Sequence, residues 1–197
     1  MADFRKAFLK TSIAEGGYSN NSLDMGGETY RGISRRYFPD WKGWEIIDIE
    51  KKKPGPNPVN DISPSIRKGL NDLVEFFYKE NFWNRFLGDE IPNQEIAEEL
   101  YDTSVNMGIS RGVIFLQVSL NVLNRNGELY PDIVEDGKIG STTIRTLNTY
   151  LKYDKPELLL KIMNVLQGMH YIEFMKKSPT QEAFARGWFS RVEINKG

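Results

Sequence analysis

EGGYSNNSLDMGGETYRG, residues 15–32, is the stretch whose reading decides the rest of the chain. Upstream, Phe4, Ala7, Phe8 and Thr11 recur at helical spacing, and Gly16-Gly17 ends that helix at Glu15. A carboxyl at a helix C-terminus meets the partial negative charge of unpaired carbonyls, and burial beside Tyr18 adds a desolvation cost; both raise its pKa. A carboxyl that keeps its proton near neutral pH is what a general acid requires. Asp24 follows in an irregular segment able to fold back across a cleft. Gly26-Gly27 permits close backbone approach or positive φ, and the Thr29 hydroxyl can orient a water. An acid, a second carboxylate and a water positioner form the set that glycoside hydrolysis uses. The same residues also fit a plainer reading, as a glycine C-cap followed by polar turn residues.

Working outward, residues 18–62 read as irregular, with a short hairpin within 18–34 and a surface loop at PGPNP, Pro54 to Pro58. Beyond them helical signals dominate. Ser63-Pro64 caps a helix carrying Ile66, Leu70, Leu73, Val74 and Phe77. A second covers 94–107 and stops at Gly108; Ser110 caps a third with Val113, Leu116, Leu120 and Leu123. After a Gly-, Pro- and Asp-rich loop at 125–140, Ser141 caps a fourth, and Lys155-Pro156 opens a long helix to about Lys177. The tail 180–192 reads as a last short helix bearing Trp188 and Phe189. The fold class is therefore mainly α. The weakest seam lies near 108–112, with helix on both sides, which predicts two parts packed as one unit.

Composition narrows the chemistry. The chain has 197 residues, 26 Lys and Arg against 27 Asp and Glu, no Cys and a single His. Near-neutral charge gives no bulk attraction to nucleic acid or an anionic membrane. Without cysteine there is no disulfide framework, thiolate metal site or cysteine nucleophile, and one histidine cannot build a multi-histidine metal centre. No cofactor and no metal are expected; DGKIG at 136–140 lacks the further acidic ligands of a calcium loop and reads as a turn. No apolar run reaches the ~20 residues of a membrane span, and charges interrupt the first residues where a signal peptide would need an apolar core. The chain reads as soluble and made in the cytoplasm; if it works elsewhere, something must release it.

The run Glu15-Gly16-Gly17-Tyr18, with Asn20, Asp24, Gly26-Gly27, Thr29 and Gly32-Ile33, resembles the signature of the glycoside hydrolase 108 family, N-acetylmuramidases found among phage and prophage endolysins and proteins called secretion activators. The likeness continues through Tyr78 and Phe82-Trp83, through Leu100 to Gly108 (with Ser104 where Ala is common), and through Asp136 to Gly140, Thr143, Gly187-Trp188 and Arg191, which resemble the peptidoglycan-binding-like module that accompanies the family. It implies a lysozyme-like helical domain with a small hairpin region over 1–109, followed by a closely packed helical module over 110–197. By the family's pattern Glu15 is the catalytic acid. The order Glu, Asp, Thr is also similar to that of phage T4-type lysozymes, which puts Asp24 and Thr29 beside it. The implied activity is cleavage of the β-1,4 bond between N-acetylmuramic acid and N-acetylglucosamine, without a cofactor, on peptidoglycan strands, after release by a holin or an export machinery. A glycan-binding or secretion-accessory protein that does not cleave, and a lytic transglycosylase, are the alternatives.

Around that core, Tyr18, Tyr30 and Trp83 can stack on sugar faces, although Trp83 fits core packing better, and Asn20 joins Tyr18 and Tyr30 as a substrate-binding residue. Asp102 and Asn106, four apart on one helix face, either line the sugar groove or serve as an internal polar anchor. Trp41 and Trp44 read as loop residues forming a groove lip or a side cluster. Arg31, Arg35 and Arg36 read as a basic patch, either solvated or attractive to anionic wall polymers. His170, with no partner motif, reads as structural.

Overall fold

A computed structural model describes residues 1–11, 17–20, 27–55 and 58–193. Its elements run in the order α1 (Phe4–Lys10), β1 (Tyr18–Asn20), β2 (Glu28–Tyr30), β3 (Ile33–Ser34), α2 (Gly43–Glu50), α3 (Pro64–Tyr78), α4 (Gln94–Met107), α5 (Ile109–Val122), α6 (Ser141–Tyr153), α7 (Pro156–Lys177) and α8 (Ala185–Phe189). A π turn at Lys79–Trp83 and 3-10 turns at Asn84–Phe86, Gly88–Glu90 and Pro179–Phe184 complete them. The fold is mainly α, as the periodicity requires. Two compact units result: Phe8–Asn81, and Met1–Ala7 together with Phe82–Gly197.

The smaller unit holds a three-stranded antiparallel sheet in the order β1-β2-β3, with Tyr18 opposite Tyr30 and Tyr30 opposite Ile33. Arg31 and Gly32 close the β2–β3 hairpin at φ 48° and 79°, the two left-handed residues that a tight hairpin turn demands. Gly32 is needed twice over, because a Cβ there would lie 2.7 Å from the Tyr78 hydroxyl, which donates to the Arg31 carbonyl at 2.9 Å. Ser63 and Pro64 start α3 as expected, and Leu70, Val74, Phe77 and Tyr78 form its buried stripe.

One helix was not legible. Residues 43–50, read as part of an irregular segment, form α2, with Trp44 and Ile47 buried. It is only 8 residues long and starts on glycine without a side-chain cap. That glycine is there for space: a Cβ at Gly43 would sit 2.1 Å from the Trp41 ring.

In the larger unit, Trp83 is fully buried among Phe4, Phe86 and Tyr101 and donates its indole N–H to Asp89 at 2.8 Å. The groove reading of Trp83 therefore gives way to core packing. α4 and α5 form a tight helical hairpin whose close approach requires Gly112; a Cβ there would meet Ser104 Oγ at 2.9 Å and the Leu100 carbonyl at 3.3 Å. Two caps differ from expectation. α5 starts on Gly108 rather than Ser110, and α6 is preceded by Gly140, with Ser141 its first residue. DGKIG is a turn, held by Gln117, which donates to Asp136 Oδ1 at 3.0 Å and the Lys138 carbonyl at 3.1 Å and accepts from the Gly137 N–H at 2.9 Å.

Candidate active site

Glu15 and Asp24 lie outside the described residues, so the site is built from what flanks them. Gly17 and Tyr18 follow Glu15, and Asp24 falls in the connection between β1 and β2. The connection re-enters the sheet at Gly27, whose φ of 64° suits glycine. Tyr18 is tied down by its backbone N–H, which donates to Asn60 Oδ1 at 3.3 Å.

Strand alternation sorts the predicted residues. Tyr18, Asn20, Glu28 and Tyr30 share one face of the sheet, whereas Thr29 shares the other with Ser19 and Ser34. Asn20 is exposed opposite Glu28, and Thr29 is half-buried. Tyr30 does not offer a ring face to a sugar. It is 3% exposed and stacks on Trp41 at 6.0 Å, which corrects its reading as a stacking platform. Trp41, in the loop before α2, and Trp44, buried in α2, meet edge-on at 5.1 Å and form the side cluster. Their N–H groups donate to the Leu73 and Phe38 carbonyls.

A residue the sequence did not single out organises this face. Glu28 accepts from the Tyr18 hydroxyl at 2.9 Å, from Arg35 at 2.9 Å and from Lys51 at 2.8 Å. Arg35 also reaches Asp48 of α2 and lies over the Trp44 ring at 5.0 Å. Burial pulls the Glu28 carboxyl up, but hydrogen bonds from Lys51, Arg35 and Tyr18 outweigh it and hold the group below its usual range. Tyr18 is pushed up, by burial first and then by the Glu28 bond. Arg35 is therefore a clamp joining the sheet to α2, not part of a solvated patch.

In the larger unit, Asp102 accepts from Arg191 at 2.7 Å and is mostly buried. That is an internal anchor, fastening the C-terminal segment to α4. Asn106 is exposed and spends its amide N–H on the Asp102 carbonyl at 2.7 Å. Between α4 and α7, burial and then the Asp102 charge push Glu99 up to about 7, against hydrogen bonds from Thr103 (3.1 Å) and Asn164. Acidic neighbours at Glu95 and Glu98 hid this residue from sequence reading, since spacing does not separate it from them. Among the described residues no group of three acidic or histidine side chains is placed to hold a metal, and no helix is long and apolar enough to cross a membrane.

A mainly helical scaffold with a small sheet, and a Glu-Gly-Gly run leading into it, define the class: a glycoside hydrolase with an attached helical module. The chain belongs to the glycosyl hydrolase 108 family, whose description matches residues 8–108, just over half of its length. Residues 111–193 match a second description, "Predicted Peptidoglycan domain". Peptidoglycan is thus the polymer this hydrolase meets. Among solved structures, the chain is similar to that described as "Structure of Brucella abortus SagA", with 23% identity, a TM-score of 0.56, and coverage of 96% of this chain and 88% of that one. The likeness is one of fold. None of the curated proteins matches the chain.

Proposed function

We propose that the protein is an N-acetylmuramidase that hydrolyses the β-1,4 bond between N-acetylmuramic acid and N-acetylglucosamine, with Glu15 as general acid. The observation that carries this reading is the family match over residues 8–108, which contains the whole Glu15–Gly32 run. Glu15 gives its proton to the bridging oxygen, which leaves as a sugar hydroxyl. Asp24, with Thr29, holds the attacking water or stabilises positive charge at the anomeric carbon. The Glu28–Arg35–Lys51 clamp supports this reading, because it fixes both strands that frame the Asp24 connection. Residues 1–109 then act as the muramidase region and 110–197 as the wall-binding module. The protein reaches the wall through a holin or an export route.

Glu15→Gln tests the assignment. The amide is nearly isosteric but has no proton to give. Clearing of purified sacculi, followed by turbidity, should fall at least a thousandfold, on the order of 4 kcal/mol of barrier, with thermal unfolding unchanged. Near wild-type clearing by the variant refutes Glu15 as the acid. Mass spectrometry of the wild-type digest separates the alternatives. Hydrolysis leaves a reducing muramic acid end, a transglycosylase leaves a 1,6-anhydro sugar, and a binder leaves no fragments.

A further inference from the structure

The larger unit contains a pocket of about 170 Å³ lined by Asn106 and Met107 at the end of α4, His170, Tyr171 and Phe174 on α7, and Trp188 on α8. Ring contacts join its walls. Trp188 stacks on Tyr171 at 5.1 Å and 17° and touches Phe174 and Phe184 at 5.9 Å, while His170 stacks on Phe174 at 6.5 Å.

What the lining lacks is partners. Trp41, Trp44 and Trp83 each donate their indole N–H to the protein, yet among the described residues Trp188 donates to nothing. The ring nitrogens of His170 and the side-chain carbonyl of Asn106 also have no partner there, and the Tyr171 hydroxyl is buried without one. Buried polar groups are normally satisfied, so the Tyr171 hydroxyl stands out; the others are open to solvent, and donors and acceptors left free around an aromatic pocket suit a ligand. Among the described residues none of the lining side chains is an acid, a lysine or an arginine. Burial, followed by the Arg111 charge, pushes His170 below its ordinary value, which favours its neutral form. The matching ligand is therefore uncharged, small, partly apolar, and able both to donate and to accept.

We propose that this pocket receives the acetamido group of an N-acetylated sugar in a glycan strand. The methyl group packs on Phe174 and Met107, the carbonyl accepts from Trp188 or His170, and the amide N–H donates to Asn106. The inference rests on the reading of the protein as a peptidoglycan hydrolase and adds to it a built-in recognition site for the polymer's most repeated substituent. It also gives Asn106 the sugar contact that its exposed position permits.

The test uses the whole 197-residue chain, ¹⁵N-labelled, both as wild type and as Glu15→Gln, in which a sugar tetramer stays uncut. The indole N–H resonances are followed during titration with tetra-N-acetylchitotetraose, with the same tetramer lacking its acetyl groups, and with a peptidoglycan stem peptide free of sugar. Expected is a shift of the Trp188 resonance, assigned by Trp188→Phe, with the acetylated tetramer, and at least tenfold weaker binding of the deacetylated one. Trp188→Phe, which keeps an aromatic ring but removes the indole N–H, and Asn106→Ala, at an exposed position, should each weaken binding about tenfold. A Trp188 resonance unmoved by the acetylated tetramer, an equal response to both tetramers, or a response to the peptide alone overturns the proposal. Intact sacculi after incubation with wild type, together with a Trp188 shift, would instead sink the hydrolase reading and leave the pocket standing.

Discussion

Glu99 shows how much a single side chain can be set by its surroundings. Its carboxyl is pushed up to about 7 by burial and by Asp102. The sign follows from linkage. A folded-state pKa above the unfolded value of about 4.3 means that the folded chain binds the proton more tightly, so stability falls as pH rises between the two values. The slope is about 1.4 kcal/mol per pH unit, and the whole span amounts to at most about 4 kcal/mol, less whatever solvent screening removes. Glu99→Gln copies the protonated form. The variant should therefore gain stability relative to wild type at pH 8 and gain little at pH 5. Thermal unfolding midpoints at the two pH values check this; a gain of equal size at both would mean that Glu99 is ionised throughout. The low-lying Glu28 has the opposite sign. Its contribution is complete above the unfolded value and disappears as acid titrates the clamp.

At the scale of elements, the long helices were written plainly in the sequence and the small sheet only in part. Ser63-Pro64 and Lys155-Pro156 announce α3 and α7 because a fixed φ and a missing donor suit only a first turn. α2 could not be read, because eight residues give fewer than three turns of periodicity and its glycine start serves Trp41 rather than a cap. The run from Glu15 to Thr29 drew a chemical reading from residue types alone, Glu, Asp and Thr near paired glycines, and Glu15 and Asp24 lie outside the described residues. The Glu28 clamp was not, because Tyr18, Arg35, Asp48 and Lys51 are brought together only by strand register and by α2. This clamp carries its own prediction. Glu28→Gln keeps the shape but loses the charge that Arg35 and Lys51 approach, and charge-assisted bonds contribute roughly 1.5–3 kcal/mol. Amide hydrogen exchange in residues 28–35 should speed up several-fold, and sacculus clearing should fall while Glu15 is intact. Unchanged exchange in the hairpin would show that Tyr30 and Ile33, buried beneath it, hold the strands without the clamp.

For the whole molecule, the boundary between the two family descriptions and the boundaries of packing do not coincide. The matches end at residue 108 and resume at 111, between α4 and α5. Yet α4 and α5 lie in one compact unit, joined through Gly108 and pressed together where Gly112 meets Ser104 and Leu100. α4 also meets α7, through Gln167 bonding Thr103 at 3.3 Å, and the C-terminal segment, through Asp102 and Arg191. A fragment starting at residue 110 would lose the fully buried Ile96, Leu100 and Tyr101. At roughly 1.5–3 kcal/mol each, these come to about 5–9 kcal/mol, comparable to the whole stability of an ordinary domain. Residues 110–197 alone should therefore bind a hydrophobic dye and melt without a cooperative transition, whereas a fragment extended back to residue 82 should regain one. A sharp melt by the shorter fragment would show that α5, α6 and α7 form a core independent of α4. In that case the wall-binding module could be moved between proteins at the boundary its family description draws. If the longer fragment alone melts cooperatively, α4 belongs to both halves: it completes the hydrolase signature in sequence and the helical module in packing.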